Sequence, residues 1–518
     1  MAQFSAITFE MWNGVSWVNL SADVLANPSP KGSRGIPGNG PEDRVAAPGK
    51  LTFSLNNSQT NSAGLVGYYS PGHANAAPVW RPGLIIRLSF TYEGHTRYKW
   101  RGRIDPDGIR VIPGTKGARR VDVSCSDWIE QATYHKVNLL TSQSNKTFAE
   151  AAALLFANMP EGPLVAEYNL SETMPTVFDT NGPDTTALSE LQKIATAVRH
   201  WVVLKGDSTG GETFSTVING VPRDIPIGTD RASKLLMETG DRILMEDGSF
   251  LLLDEIESLA FTEADIEDAD ISYGKHIYNH ITVTSYPREV DAAVSVLWSL
   301  EDATSLAAGI SVTFRCPYND PTSGNKVNGT DFTTPVSGTD FAAFANADGT
   351  GTNYTANMSV TATFGSAEAE VVVTNTHASA TFWFGGPSIT FQLRGKAVRV
   401  NDPARVLSKD ATSITSYGPR PLNIDMKYAD NPTGKDEISN AWLNTYDLKN
   451  PHYVVDRLTL IANKNSKNMF AFLFFEPREV AGITESMTAI NDDFYMQGYE
   501  FEILPGGIVK WYPTFWID

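Results

Sequence analysis

Glu238, Glu246 and Asp254 each close an aliphatic run in "LLMETGDRILMEDGSFLLLDE", residues 235–255, and a stacked ladder of carboxylates is a hard oxygen set of the kind that holds Ca²⁺. The rest of such a site is missing, because calcium loops need oxygens at alternate positions, a central Gly and a closing bidentate Glu. The runs Leu235–Glu238, Ile243–Glu246 and Leu251–Asp254 read instead as short strands joined by the turns "TGDR" and "DGSF", a meander over 231–255. "DPDG" at 105–108 and "NADGTG" at 346–351 begin like calcium loops, but no spaced Glu follows either, so both are expected to be Asp-Gly turns. His276 and His280 have the spacing of a metal pair on a helix. They fall in the strand-like "KHIYNHITVTSY", where residues four apart are about 13 Å from each other, too far to share one ion.

Arg97, Lys99, Arg101 and Arg103 form a basic row on one face of a strand, a candidate anion grip whose ordinary alternative is a solvated or ion-paired sheet face. Tyr68, Tyr69, Trp80 and Trp383 would stack on sugar rings if exposed, and would be core if not. The chain has no Gly-x-Ser-x-Gly elbow, phosphate loop, His-Glu-x-x-His or Cys-x-x-Cys. No catalytic, cofactor-binding or metal-binding residue is therefore expected, and no cofactor.

The charge balance narrows the partners. With 41 Lys and Arg against 59 Asp and Glu, the net charge is -18, which repels phosphate and argues against a nucleic-acid grip while allowing DNA to slide past without adhering. Cys125 and Cys316 stand far apart; Cys125 shares a strand face with Val121 and Val123, so a buried free thiol is expected. No signal peptide opens the chain and no membrane-spanning segment is present, so a protein made in a cytoplasm is expected.

The elements that must position these residues are mostly strands. Trp12 and Trp17 flank an Asn-Gly turn, "KLTFSL" alternates Leu51, Phe53 and Leu55, and Ile86, Leu88, Phe90 and Tyr92 alternate up to a turn at Glu93 and Gly94. The Gly/Pro-rich segment 26–50 reads as an arm contacting a neighbouring subunit. Thr147 and Glu150 make a capping box before a helix, and a second helix with Leu188, Leu191, Ile194 and Val198 on one face is expected to start at a capping Asp184 and run into the strand "HWVVL". A third helix is expected in "KDEISNAWLNTY", residues 435–446. The fold class expected is mainly β with a few helices, multi-domain. Its parts are an N-terminal β-barrel over 1–135, an α+β connector over 136–260, central β strands over 261–304 and 396–420, a β-sandwich insertion over 305–395 and a C-terminal β-barrel over 421–518.

Several segments together resemble a known family. "WVNLSADV", "RVAAPGKLTFSLNNSQTNSAGLVGYYSPGH", "GLIIRLSFTYEGHTRYKWRGRID" and "VDVSCSDW" are similar, in order, to the opening of hub proteins from the tail tips and baseplates of long-tailed bacteriophages. "LSELQKIATAVRHWVVLKGD", "SITFQLRGKAVRV", "TSITSYGPRPLNID" and "YMQGYEFEILPGGIVKWY" also resemble later parts of those proteins. The resemblance implies a non-enzymatic structural protein of the virion. It implies a homotrimer with two tube-like barrels per chain, forming a ring between the distal tail or tail-tube protein and a central fibre or spike protein, with genomic DNA in transit through its channel. A carbohydrate- or receptor-binding β protein and a tail-associated hydrolase are the alternatives. The meander 231–255 and the insertion 305–395 exceed a minimal hub, and the meander is expected to pack on the helix domain or on a neighbouring tail protein.

Overall fold

The computed structural model describes all residues except 1–2, 37–42, 115–118, 138–139, 169–172, 180–184, 218–220, 223–258, 274–277, 430–452 and 518. The meander 231–255, His276, Asp184 and the helix expected at 435–446 lie outside the described residues.

Alternating sequences build the N-terminal strands as expected. β1 (Ala6–Trp12) turns through Asn13, whose side-chain oxygen accepts from the amides of Val15 (2.9 Å) and Ser16 (2.8 Å), into β2 (Trp17–Asn19). β3 (Lys31–Gly35) and β4 (Ala47–Asn56) follow, then β5 (Ile85–Tyr92), β6 (His95–Ile112) and β7 (Arg120–Ser126). Leu51, Phe53 and Leu55 are buried, as are Ile86, Leu88, Phe90 and Tyr92. Glu93 and Gly94 both take positive φ (47° and 81°), the double left-handed turn whose twist matches an antiparallel hairpin.

The chain is mainly β and multi-domain, but among the described residues no sheet closes into a barrel. The strand sets expected to form two separate barrels merge into one 14-stranded sheet. Eleven of its strands run in the order Ile266–Tyr273, Tyr453–Ile461, Ile508–Ile517, Ile490–Leu504, β3, β4, β7, β6, β5, β1, β2; off this path Glu479–Glu485 pairs with Ile490–Leu504 and with the short strands Val221–Pro222 and Ala260–Phe261. The weld is β3, which pairs with Ile490–Leu504 on one side (Lys31↔Glu502 to Gly35↔Gly498) and with β4 on the other. The segment read as an arm toward another subunit therefore supplies a strand within its own chain. One hydrophobic core underlies both halves. The helix Ser466–Phe474 buries Met469, Phe470, Phe472 and Leu473 there, and Phe90 meets Phe472 edge-on at 4.8 Å.

A second core gathers the helices. α1 (Trp128–Tyr134), α2 (Phe148–Asn158) and α3 (Ala187–Ala197) pack with the strands Trp201–Lys205 and Thr213–Val217. The capping box forms as expected, Glu150 N donating to Thr147 Oγ1 (3.2 Å) and Thr147 N to Glu150 Oε2 (2.9 Å). For α3 the cap is Thr186, which accepts from Ser189 N, rather than Asp184. Both residue types cap helices, and the start moves because Ala187 is the first residue of the buried face. Farther on, the sheet Ser311–Pro317, Glu368–Asn375 and Met358–Phe364 packs over Gln392–Val400 and its partners, with Phe314, Phe332, Phe364, Phe384 and Phe391 between them. This is the expected β-sandwich pattern, polar outside and aromatic inside.

Candidate functional site

The basic row of β6 brings four cations onto one strand, and each member engages a different partner. A register shift, with Leu88 opposite Trp100 and Ser89 opposite Tyr98, leaves Lys99 as an extra residue and turns its side chain inward. Lys99 is fully buried against Glu476, next to the helix Ser466–Phe474, and the Arg97 guanidinium lies 4.8 Å over the Phe474 ring. Arg101 Nη1 donates to Glu212 Oε2 at 2.9 Å, and Arg103 pairs with Glu161, both carboxylates belonging to the helical unit. The row expected as either an anion grip or a solvated or ion-paired face is thus ion-paired at Lys99, Arg101 and Arg103. It fastens the C-terminal half through Arg97 and Lys99 and the helical unit through Arg101 and Arg103.

Further contacts add to this junction. Arg34, on the weld strand β3, sits 3.7 Å from Asp127, both side chains buried, and its Nη2 donates to the Arg101 carbonyl (3.3 Å). Asp127 caps α1 by accepting from Ile129 N (3.1 Å); burial pushes its carboxyl up to about 7, with the Arg34 charge opposing. Arg44 and Arg478, from opposite ends of the chain, both stack on Trp201 at 4.1 and 3.9 Å. The loop 207–211 docks on β6 as well: Tyr98 N donates to the Asp207 carbonyl (2.8 Å), while Asp207 Oδ1 holds the amides of Thr209, Gly210 and Gly211.

The remaining candidates are dispersed. Asp348 of "NADGTG" accepts from Thr350 N (3.0 Å) in a turn as expected, whereas "DPDG" is no turn: it is a bulge within β6, where Asp105 accepts from Ser124 (2.8 Å) and Ser126 of the neighbouring strand. His280 lies in the strand His280–Ser285, and among the described residues no group of three or more His, Cys, Asp or Glu gathers to hold a metal ion. Tyr69 and Trp80 are buried against each other at 5.1 Å, with Tyr69 Oη donating to Asp23, so they offer no sugar platform; Tyr68 and Trp383 are half-buried. Cys125 and Cys316 are buried free thiols, and burial pushes Cys316 up to about 12. An open recess of about 470 Å³ follows the weld, lined by Ser33, Glu500, Tyr512 and Arg457, and another of about 670 Å³ lies on the sandwich beside Asp320 and Arg399. Among the described residues no helix is long and apolar enough to cross a membrane.

What this junction does within the chain is join elements: Lys99, Arg101 and Arg103 each meet a carboxylate from a distant part of the sequence. Sequence reasoning found the row but not Glu161, Glu212 and Glu476. The usable signal was charge balance, because four cations on one face of so acidic a chain invite carboxylates from elsewhere.

No family model and no curated protein matches the sequence. Among solved structures, the chain is similar to the tail protein from Neisseria meningitidis MC58, with a TM-score of 0.48 and 10% identity over 99% of this chain and 97% of that one. It is also similar to the 43 kDa tail protein of prophage MuSo2 from Shewanella oneidensis (TM-score 0.45, 8% identity, 98% of each chain). A third is the prophage tail protein gp18 from Listeria monocytogenes EGD-e (TM-score 0.39, 7% identity, 98% of this chain and 94% of that one).

Proposed function

We propose that this chain is a structural, non-enzymatic subunit of a bacteriophage tail tip. In this reading it is a hub protein, made in the host cytoplasm, that assembles as a homotrimeric ring between the tail tube and a central fibre or spike and leaves a channel for DNA. The observation that carries the reading is the weld: strand sets from the two ends of one chain lie side by side in one sheet over one core, which gives a single subunit two β modules held in fixed relation. Three features agree with it. The ordered turn and strand segments resemble tail-tip hubs along most of the sequence. The outermost strands, Ile266–Tyr273 and β2, each pair on one side only within the described chain, and a ring offers neighbours for such edges. The net charge of -18 disfavours adhesion of DNA in transit. The test is location: gold-labelled antibody to this chain should decorate the tip of purified tails, and label confined to the capsid, or none on particles, would reject the hub reading.

A further inference from the structure

Lys99 and Glu476 are 377 residues apart in sequence, yet their side chains touch in the interior with almost no solvent exposure. The register shift in β6 aims the lysine inward, and aromatic rings enclose it, Tyr499 at 4.7 Å and Phe472 at 5.5 Å from Nζ. As an ion pair this arrangement gains little, because desolvating two charges costs about as much as their attraction returns. A dry site also disfavours the ammonium, so the lysine is favoured as a neutral, nucleophilic amine in contact with the carboxyl group. Burial favours the neutral form of the lysine and keeps the Tyr499 phenol protonated, and that phenol lies 3.4 Å from Glu476 Oε2.

We propose that Lys99 and Glu476 are joined by an intramolecular amide that staples the N-terminal half to the C-terminal half. Nζ attacks Cδ of Glu476, forming the C–N bond, and one carboxyl oxygen leaves as water. The ammonium and carboxylate together supply every atom: of the three ammonium hydrogens one stays on the amide and two depart with the oxygen. The charges cancel, no oxidant or co-reactant is consumed, and Tyr499 Oη is placed to relay a proton to the departing oxygen. Such a bond carries load across the junction when a tail is pulled or compressed, and it stands whether or not the hub reading holds.

Mass spectrometry of the denatured full-length chain reads the bond without depending on the fold of a variant. The wild-type chain should weigh less than its sequence by one water. Trypsin should fail to cut after Lys99, and a branched peptide should contain Lys99 and Glu476; Lys99→Met should have the full mass of its own sequence. A wild-type mass equal to the sequence, a tryptic peptide ending at Lys99, or a water loss that persists in Lys99→Met would overturn the proposal.

Discussion

Gly35 and Gly498 face each other across the weld so closely that a Cβ on Gly35 would lie 2.2 Å from the Gly498 Cα, and one on Gly498 would lie 2.7 Å from the Arg34 carbonyl oxygen. Both obstacles are backbone, which cannot swing aside. Gly35→Ala should therefore cost about 3 kcal/mol or more, combining this clash with its φ of 131°. Gly14→Ala, at a φ of 97° with nothing within 4 Å, should cost only about 1 kcal/mol. Urea unfolding of the two variants compares them, and equal costs would mean that the halves are not pressed together here.

Glu212 tests the other side of the junction. Its side chain and that of Arg101 are 8% and 13% exposed, so removing the carboxylate leaves a largely buried guanidinium without this partner. Glu212→Ala should lower stability by about 3 kcal/mol, and hydrogen exchange should rise first in the strand Thr213–Val217. A loss below about 0.5 kcal/mol would place the pair among solvated surface bridges.

His200 gives the chain an acid limit. Burial, with Arg199 and Arg44 adding repulsion, pushes its imidazole down to about 4, against roughly 6.5 in an unfolded chain. The unfolded form binds the proton more readily. Stability linked to this group is therefore complete above pH about 6.5 and declines as pH falls toward about 4. His200→Gln should flatten the pH dependence of the melting temperature in that window, and an unchanged slope would assign acid sensitivity elsewhere.

Trp80 separates a core role from sugar binding. It is buried against Tyr69, so Trp80→Ala should cost about 3–5 kcal/mol in unfolding experiments. A stable variant that had lost binding to a glycan would restore the platform reading that its burial removes.

Local order was legible where one element decides it. Leu51, Phe53 and Leu55 announce a half-buried strand, Thr147 and Glu150 a capping box, and Glu93 and Gly94 a tight hairpin, because each signal lies within a few residues of its consequence. What stayed hidden is non-local. Lys31 pairs with Glu502, and nothing near residue 31 says so; a Gly/Pro-rich stretch resembles a free arm until its distant partner strand is known. Lys99 alternates with Tyr98 and Trp100 as a surface cation should, and a one-residue slip in register sends it into the core. Tyr69 and Trp80 differ from exposed platforms only in being covered, which their residue types do not reveal.

The measurement that bears most directly on the central claim is an electron cryomicroscopy reconstruction of the tail tip with this chain traced in it. The expected result is a ring of three copies below the tail tube, each contributing both of its welded β halves around an open channel. A tip built without this chain, or one holding it as a single peripheral copy with no part in the ring, would contradict the hub assignment.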